Sequence, residues 1–80
     1  PEVAWVNLGK SYAGEQNLIQ AKQAFEQAVA LEPSYLDAHY YLAVVAQQVG
    51  DVGLAREQAN VVLTTAPEHA GAMALARQLG

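Results

Sequence analysis

The chain has 80 residues, enough for one small domain with a limited hydrophobic core. Its formal net charge of −4, from 8 acidic and 4 basic residues without a basic run, argues against a nucleic-acid partner and against tight binding to an anionic membrane surface. The chain has no cysteine, which excludes disulfides and thiolate metal sites, and it carries neither a signal peptide nor an apolar run long enough for direct membrane insertion.

Apolar residues at helical spacing predict a first helix over residues 2–14. Trp5, Leu8 and Tyr12 share one of its faces, and Gly9 lies on the same face. A glycine in a helix interior costs roughly 1 kcal/mol relative to alanine. We therefore expect Gly9 to allow the close approach of a partner helix.

The second helix is predicted to begin after Asn17, an N-cap residue with Gln20 as its capping-box partner. We expect Ala21 to face Gly9, so that two small residues bring the helix backbones together, with the Phe25 ring filling the space beyond. The predicted buried stripe of this helix is Leu18, Ala21, Phe25 and Ala28.

The third helix is predicted over residues 35–49, between a Ser34–Asp37 capping box and a stop at Gly50. Its apolar positions lie three or four residues apart, as expected of one helix face. They are Ala38, Leu42, Val45 and Val49.

Asp51 is the predicted N-cap of a fourth helix over residues 52–65, and a fifth helix is predicted over residues 69–79. No strand is predicted, because the β-branched residues fall within helical periodicity. The buried residues expected in the fourth helix are Leu54 or Ala55, Ala59, Val62 and Leu63. Those expected on the inner face of the fifth are Met73, Ala76 and Leu79.

A shift of 34 residues places the first two helices on the next two. The matching positions include Ala4 on Ala38, Leu8 on Leu42, Ala21 on Ala55 and Pro33 on Pro67. Three large residues are replaced in the second unit, by His39 for Trp5, Ala46 for Tyr12 and Ala59 for Phe25. We therefore expect the second unit to have a thinner core and to be the less stable one.

The first unit carries the most specific pattern of the chain. It reads Trp5-x-x-Leu8-Gly9-x-x-Tyr12, then Ala21-x-x-x-Phe25-x-x-Ala28, then Pro33. This pattern resembles the tetratricopeptide repeat, a helix–turn–helix unit of about 34 residues. The core positions that the resemblance implies are Trp5, Leu8, Gly9, Tyr12, Ala21, Phe25, Ala28, Pro33, Leu42, Ala55 and Pro67.

The resemblance implies an all-α fold, a right-handed superhelix of antiparallel helix pairs with five helices in total. Residues 1–80 would form a single domain. Within it we expect repeat one at residues 2–35, repeat two at 36–69 and a capping helix at 70–80. An array of two repeats is close to the smallest that can bury its apolar faces.

In this family a peptide usually lies in the concave groove, so the resemblance implies a module that binds a peptide or protein segment there. The corresponding residues are Val6, Lys10, Ala13, Asp37, Tyr40, Val44, Gln47 and Gln48, with Val3, Ala74 and Gln78 beside them. The groove is expected to be mildly apolar, with amide groups, one cation and Tyr40 as an anchor. The alternative interpretation is that these are ordinary solvated residues or lie under further repeats.

Some members of the family hold a C-terminal carboxylate with a clamp of lysine, arginine and asparagine side chains. Asn7 matches one such asparagine, and Lys10 is the one basic residue predicted to face the groove. A single cation is a weak carboxylate trap. We therefore expect no clamp here, and we expect Asn7 to form a structural hydrogen bond near a neighbouring helix end.

No catalytic, cofactor-binding or metal-binding residue is predicted. His39 has no histidine, cysteine or carboxylate four residues away, and it occupies the position of Trp5, so we expect a packing role within an aromatic cluster with Tyr35, Tyr40 and Tyr41. His69 falls in a connection. Since the sequence has neither a nucleophile–base–orienter set nor a phosphate-binding glycine loop, we expect no enzyme activity and no cofactor.

The composition leaves two further functional hypotheses open. Apolar residues make up 52 % of the chain and charged residues 15 %, against about 25 % charged in typical soluble domains. This surplus of apolar surface fits an adaptor, but it also fits a self-assembly element that docks through Leu75 and Leu79. The third hypothesis is a recruiting or regulatory arm of a larger enzyme, since the start at Pro1 suggests a fragment or a processed product. The sequence predicts no cellular compartment.

Overall fold

The computed structural model describes residues 1–80 and consists of five α-helices without a β-strand. The helices are α1 (Glu2–Gly14), α2 (Leu18–Leu31), α3 (Leu36–Gln48), α4 (Val52–Thr65) and α5 (Ala70–Leu79). The predicted all-α fold is confirmed, and each predicted helix end lies within one residue of the observed end. No helix has both the length and the hydropathy needed to cross a lipid bilayer.

The helices stack as two pairs followed by α5. We call α1 with α2 the first pair and α3 with α4 the second pair. The second pair joins the first through α3, which lies on α2, and α5 lies on α4. Successive inner helices α1, α3 and α5 contact one another, whereas the backbones of α2 and α4 do not approach. The array therefore curves, with α1, α3 and α5 on the inner side.

The main hydrophobic core lies between the first pair and α3. Its buried residues are Val6, Ala21, Phe25, Ala28, Ala38, Leu42 and Val45. A second cluster connects α3, α4 and α5 through Ala43, Ala59 and Leu75. Phe25 is the largest fully buried side chain of the molecule, and the second pair has Ala59 in its place. The second pair is thus packed with smaller side chains, as the sequence predicts.

The buried face of α1 differs from the predicted one. Leu8 is 40 % exposed, whereas Val6 is only 3 % exposed and Trp5 and Tyr12 are half-buried. Placing Leu8 in the core was wrong, because α1 packs only against α2 and α3 and no helix covers the opposite side. Placing Val6 in an accessible groove was wrong as well, because it belongs to the core shared with α2 and α3.

Gly9 packs against the Phe25 ring, which the sequence predicted to fill the space beside Gly9 and Ala21. A Cβ atom at Gly9 would lie 2.5 Å from Cε1 of Phe25, far inside van der Waals contact. The same arrangement recurs at α5, where a Cβ atom at Gly71 would lie 2.6 Å from the Tyr40 hydroxyl oxygen. In both places a ring of one helix occupies the space left by a glycine of its neighbour.

Of the three N-caps predicted from polar residues, only Asp51 forms a capping hydrogen bond. Its Oδ1 accepts from the backbone N–H of Leu54 at 3.2 Å. Asn17 precedes α2, but its side chain caps nothing. Ser34 lies one residue before the N-cap position of α3 and donates instead to Glu32 Oε1 at 2.8 Å. The predicted capping boxes at α2 and α3 were therefore wrong.

The start of α5 depends on a cap that the sequence did not indicate. His69 Nδ1 accepts a hydrogen bond from the Ala72 N–H at 3.0 Å, so this ring nitrogen carries no proton. The ring also lies 4.8 Å, centroid to centroid, from Tyr40. His69, expected in a plain connection, therefore fixes where α5 begins.

Of the inner face predicted for α5, Ala76 and Leu79 are half-buried, and Leu79 packs against the cluster of Ala43, Ala59 and Leu75. Ala72 and Leu75 are buried, and Met73 is exposed. Leu75 packs in the cluster with Ala59, so it is not accessible to a second molecule. The predicted docking through Leu75 was therefore wrong.

The two prolines of the pattern lie outside the core to which it assigned them. Pro33 and Pro67 occupy exposed positions in the turns after α2 and α4. They stop the helices, because proline has no N–H to donate, without contributing buried surface.

Each pair turns through one residue with positive φ at the same place in the repeat. Gly50 has φ +87°, and Gln16, 34 residues earlier, has φ +63°. After each of them, the next backbone N–H donates to a carbonyl five residues back at 2.8 Å. The sequence predicted the stop at Gly50. It did not indicate Gln16, because this conformation favours glycine over residues with a side chain.

Candidate functional site

The inner surface is the accessible side of α1, α3 and α5 on the concave face of the array. The sequence-predicted residues that are exposed on these helices are Lys10, Asp37 and Gln48, with Val3 and Gln78 beside them. The half-buried ones are Ala13, Tyr40, Val44 and Gln47, with Ala74. Only Val6 is buried, as described above.

Tyr41 is a residue of this surface that the predicted binding set lacks. The Lys10 ammonium of α1 lies 5.2 Å from the centroid of the Tyr41 ring of α3, within range of a cation–π interaction. The same ring stacks on Phe25, with centroids 5.6 Å apart and planes at 19°. Tyr41 was grouped with other aromatic residues from the sequence, but its contact with Lys10 depends on how α1 and α3 cross, which no local pattern encodes.

Tyr40 joins α3 to α5 and is therefore partly engaged within the protein. Its ring lies 5.7 Å from that of Tyr41, and its hydroxyl end covers Gly71. The ring partner on its other side is His69 rather than the expected His39. Tyr40 thus fixes the position of α5 while one part of its ring remains on the surface.

Next along α3, an amide pair bridges the last two inner helices. Gln47 Nε2 donates to Gln78 Oε1 at 3.0 Å. This hydrogen bond leaves Gln47 Oε1 and Gln78 Nε2 without a partner in the protein. Val44, one turn earlier on α3, is half-buried against the cluster that contains Leu75.

The remaining predicted residues form no polar contacts with the residues of the inner surface described above. Asp37 and Gln48 are exposed and form no side-chain hydrogen bond or ion pair. Asn7 is also exposed and makes no hydrogen bond, so the structural role expected for it was wrong. Lys10 has no carboxylate partner, since the two ion pairs of the structure lie at Pro1–Glu2 and at Lys22–Asp51.

His39 is a buried packing residue with both ring nitrogens occupied. Nε2 donates to the Pro33 carbonyl oxygen at 2.6 Å, and Nδ1 faces the Gln58 side-chain amide at 2.6 Å. It therefore joins the start of α3 to the preceding turn and to α4. No three histidine, cysteine or carboxylate side chains come together as a metal-binding group would require.

A second concavity lies on the first pair, on the side not covered by α3. It has a volume of about 370 Å³ and is formed by α1 and α2 alone. We call it the Trp5 cleft; its lining residues are Trp5, Leu8, Tyr12, Gln20, Gln23, Ala24 and Gln27.

Sequence comparison finds proteins that are similar to this chain. The relatives found are proteins named "Peroxisomal targeting signal receptor". The protein from Kluyveromyces lactis is 39 % identical over 49 residues, which are 61 % of this chain and 9 % of that protein. Those from Eremothecium gossypii and Candida glabrata are each 35 % identical over 68 residues, 85 % of this chain and 11 % of theirs. The chain thus spans about a tenth of the length of these relatives.

The family comparison concerns the first pair. Residues 3–35 match the tetratricopeptide repeat family, over the segment that carries the Trp5-to-Pro33 pattern. The five-helix all-α fold agrees with this match. Residues 3–35 are therefore similar to a tetratricopeptide repeat, and this match together with the fold indicates a protein–protein interaction module.

Proposed function

We propose that the inner surface binds a peptide segment of a protein partner and that the chain acts as a non-catalytic adaptor. The observation that carries this proposal is the row of groups along three neighbouring helices. Lys10 and Tyr41 come first, Val44 follows, and the Gln47–Gln78 pair ends the row.

The amide pair suits the backbone of a bound peptide. Gln47 Oε1 can accept from a peptide N–H, and Gln78 Nε2 can donate to a peptide carbonyl. Because each side chain is already held by the other, less rotamer freedom is lost when the peptide binds. An extended segment offers both a donor and an acceptor at close spacing, so one residue of the partner can satisfy the pair.

The first half of the row suits a side chain of the partner. Tyr41 and Val44 are half-buried and present accessible apolar surface. Lys10 holds one positive charge beside this surface without an internal carboxylate partner. The segment that fits best carries an apolar side chain and one acidic or carbonyl group next to it.

The names of the relatives support a peptide-binding function. These relatives are named as receptors for a targeting signal. This chain matches only a small part of those proteins, so the similarity supports the class of ligand and leaves its sequence to be determined.

The proposal is tested with a library of fluorescent ten-residue peptides, from which binders to the unmodified chain are selected and titrated. Val44→Glu introduces an unpaired charge beside apolar surface, so selected peptides should lose at least about tenfold in affinity. Gln47→Ala, which removes one member of the amide pair, should weaken them by less.

Two matched variants lie outside the inner surface. Val52→Glu changes an exposed valine on α4, and Lys22→Gln removes a cation on α2. Both should bind the selected peptides normally, whereas Lys10→Gln should weaken peptides with an acidic residue. Equal binding by Val44→Glu and Val52→Glu would refute the proposal.

Self-association is the second candidate, favoured by exposed apolar side chains, most of which lie outside the inner surface. Six large apolar residues are exposed, namely Val3, Leu8, Ile19, Leu31, Val52 and Met73. Sedimentation over a wide concentration range distinguishes the two functions. A monomer throughout leaves the inner surface free for a foreign peptide, whereas a concentration-dependent dimer supports self-assembly.

A further inference from the structure

The hydrogen bond that starts α5 depends on the protonation state of His69. The ring Nδ1 accepts from the Ala72 N–H at 3.0 Å, which requires a free lone pair on this nitrogen. His69 is half-buried, so protons from solvent reach the ring. A protonated ring carries an N–H group at both nitrogens and can only donate. Protonation therefore removes the cap and leaves the Ala72 N–H without a partner in the protein.

The position of the ring adds a second penalty for the positive charge. His69 is the N-cap residue of α5, and the N-terminal end of a helix is the positive pole of its dipole. The N-cap of α4 is Asp51, whose carboxylate carries the favourable sign. Histidine gains its proton between about pH 8 and pH 5, whereas an aspartate stays ionised to lower pH. Acidification in this range therefore weakens the cap of α5 and leaves the cap of α4 intact.

The groups that face His69 do not compensate this loss. On α3, the Tyr40 ring lies 4.8 Å away, centroid to centroid, and its face attracts a cation. This attraction is about as large as the repulsion by the helix dipole, so the lost cap decides the sign. Asp37, one turn before Tyr40, and Glu68, in the connection, are exposed and form no ion pair with the ring. The last two turns of α4 contain no charged residue, and Arg77 lies at the far end of α5.

The start of α5 is connected to the inner surface. Tyr40 contacts His69, and its hydroxyl end covers Gly71 in the first turn of α5. Farther along the same helix, Gln78 Oε1 accepts from Gln47 Nε2 at 3.0 Å. A helix of 10 residues is marginal without its caps and its packing. A weakened start of α5 therefore loosens Tyr40 and the amide pair together.

We infer that His69 is a pH-sensitive cap, whose protonation weakens the start of α5 and thereby lowers the affinity of the inner surface for a peptide. The effect on affinity rests on the proposed function, whereas the effect on α5 does not. The cap holds the unprotonated ring in the folded chain only. Its stabilisation is therefore present at about pH 7.5 and lost as the pH falls.

Nuclear magnetic resonance of the full, isotope-labelled chain observes the cap directly. At about pH 7.5 the ring nitrogen shifts of His69 should show a proton on Nε2 and none on Nδ1. On acidification to about pH 5.5 the Ala72 amide signal should follow the titration of His69. Its protection against hydrogen exchange should fall about fivefold, as expected for the loss of one cap. The Leu54 amide, held by Asp51, is the internal control and should keep its protection.

His69→Asn is the matched variant, because asparagine is a favourable N-cap and carries no charge at either pH. Both proteins keep His39 and every carboxylate, so the difference between them isolates His69. Between about pH 7.5 and pH 5.5 the urea midpoint should fall further in the unmodified chain than in the variant. Peptides selected on the inner surface, and free of histidine and acidic residues, should lose at least about threefold in affinity with the unmodified chain alone.

Each failure has its own meaning. An Ala72 signal that does not follow His69, or an equal pH dependence of the urea midpoint in both proteins, would overturn the inference. An equal loss of peptide affinity in both proteins on acidification would overturn the connection of His69 to the inner surface. Absence of peptide binding at both pH values, with the Ala72 amide responding as expected, would contradict the proposed function and support the cap.

Discussion

The two helix pairs share one register but are stabilised by different means. The first pair is packed around the Phe25 ring, which lies over Gly9 and is stacked on Tyr41. The second pair has Ala59 in the place of Phe25 and relies in addition on the buried contacts of His39 with Gln58 and Pro33. The same backbone arrangement is thus reached with ring packing in one case and with small residues and hydrogen bonds in the other.

The pairs also differ in how their matched residues are covered. The second pair lies between α2 and α5 and buries its repeat positions, while the first pair has a neighbour on one side only. A repeat pattern therefore indicates which residues can be buried. Whether each one is buried depends on its position in the array.

The largest effect is expected from Phe25→Ala. Removing a fully buried ring leaves a cavity between α1, α2 and α3, and such substitutions cost about 3–5 kcal/mol. For a small domain this is a large fraction of the total free energy of unfolding. Urea unfolding followed by circular dichroism measures it. An unchanged midpoint would mean that the ring does not hold the first pair together.

The stability losses of Leu42→Ala and Leu8→Ala test most directly whether a neighbouring helix covers each leucine. Leu42→Ala should cost about 2–5 kcal/mol, because the side chain is buried beneath α2. Leu8→Ala should change the free energy of unfolding by about 0.5 kcal/mol or less, since the side chain is partly exposed. Thermal unfolding of both variants measures the difference. Equal losses would contradict the account of an uncovered first pair.

The smallest effect concerns the two turns. Gln16→Gly should stabilise the chain by about 0.5–1 kcal/mol, because glutamine is strained at positive φ where Gly50 is not. The gain is reduced by the greater freedom of glycine in the unfolded chain. Gly50→Gln should destabilise by a similar amount. The changes in the free energy of unfolding should therefore have opposite signs in the two variants. Denaturant midpoints measure them. A loss of stability in both variants would show that Gln16 is not strained.

The helix boundaries were predicted closely from the sequence, and the capping hydrogen bonds at the helix ends were predicted less well. Helix ends are marked by local breakers such as Pro33 and Gly50, so the boundaries agreed to within one residue. The caps at Asn17 and Ser34 were wrong, because a cap requires a side chain to reach a backbone N–H in the finished turn. The cap by His69 escaped prediction, since histidine is not a usual N-cap residue.

Among the candidate binding residues, too, some were predicted from the sequence and others depend on how the helices pack. The family resemblance placed Lys10, Val44 and Gln47 on accessible helix faces, and the structure leaves these residues exposed or half-buried. The resemblance could not exclude Val6 or include Tyr41, because both depend on how α1 lies against α3. These residues stay proposals for binding, and the variants above test them.

By itself, the sequence determined the all-α fold, the helix boundaries and the resemblance to a tetratricopeptide repeat, because spacing and helix breakers act over short stretches of chain. The tertiary structure alone decided that Leu8 is exposed and Leu42 buried, and that Gln47 meets Gln78. The physical reason is that burial and side-chain contacts arise from the neighbours of a helix, and equal residues in equal positions have different neighbours at the edge and in the middle of a short array.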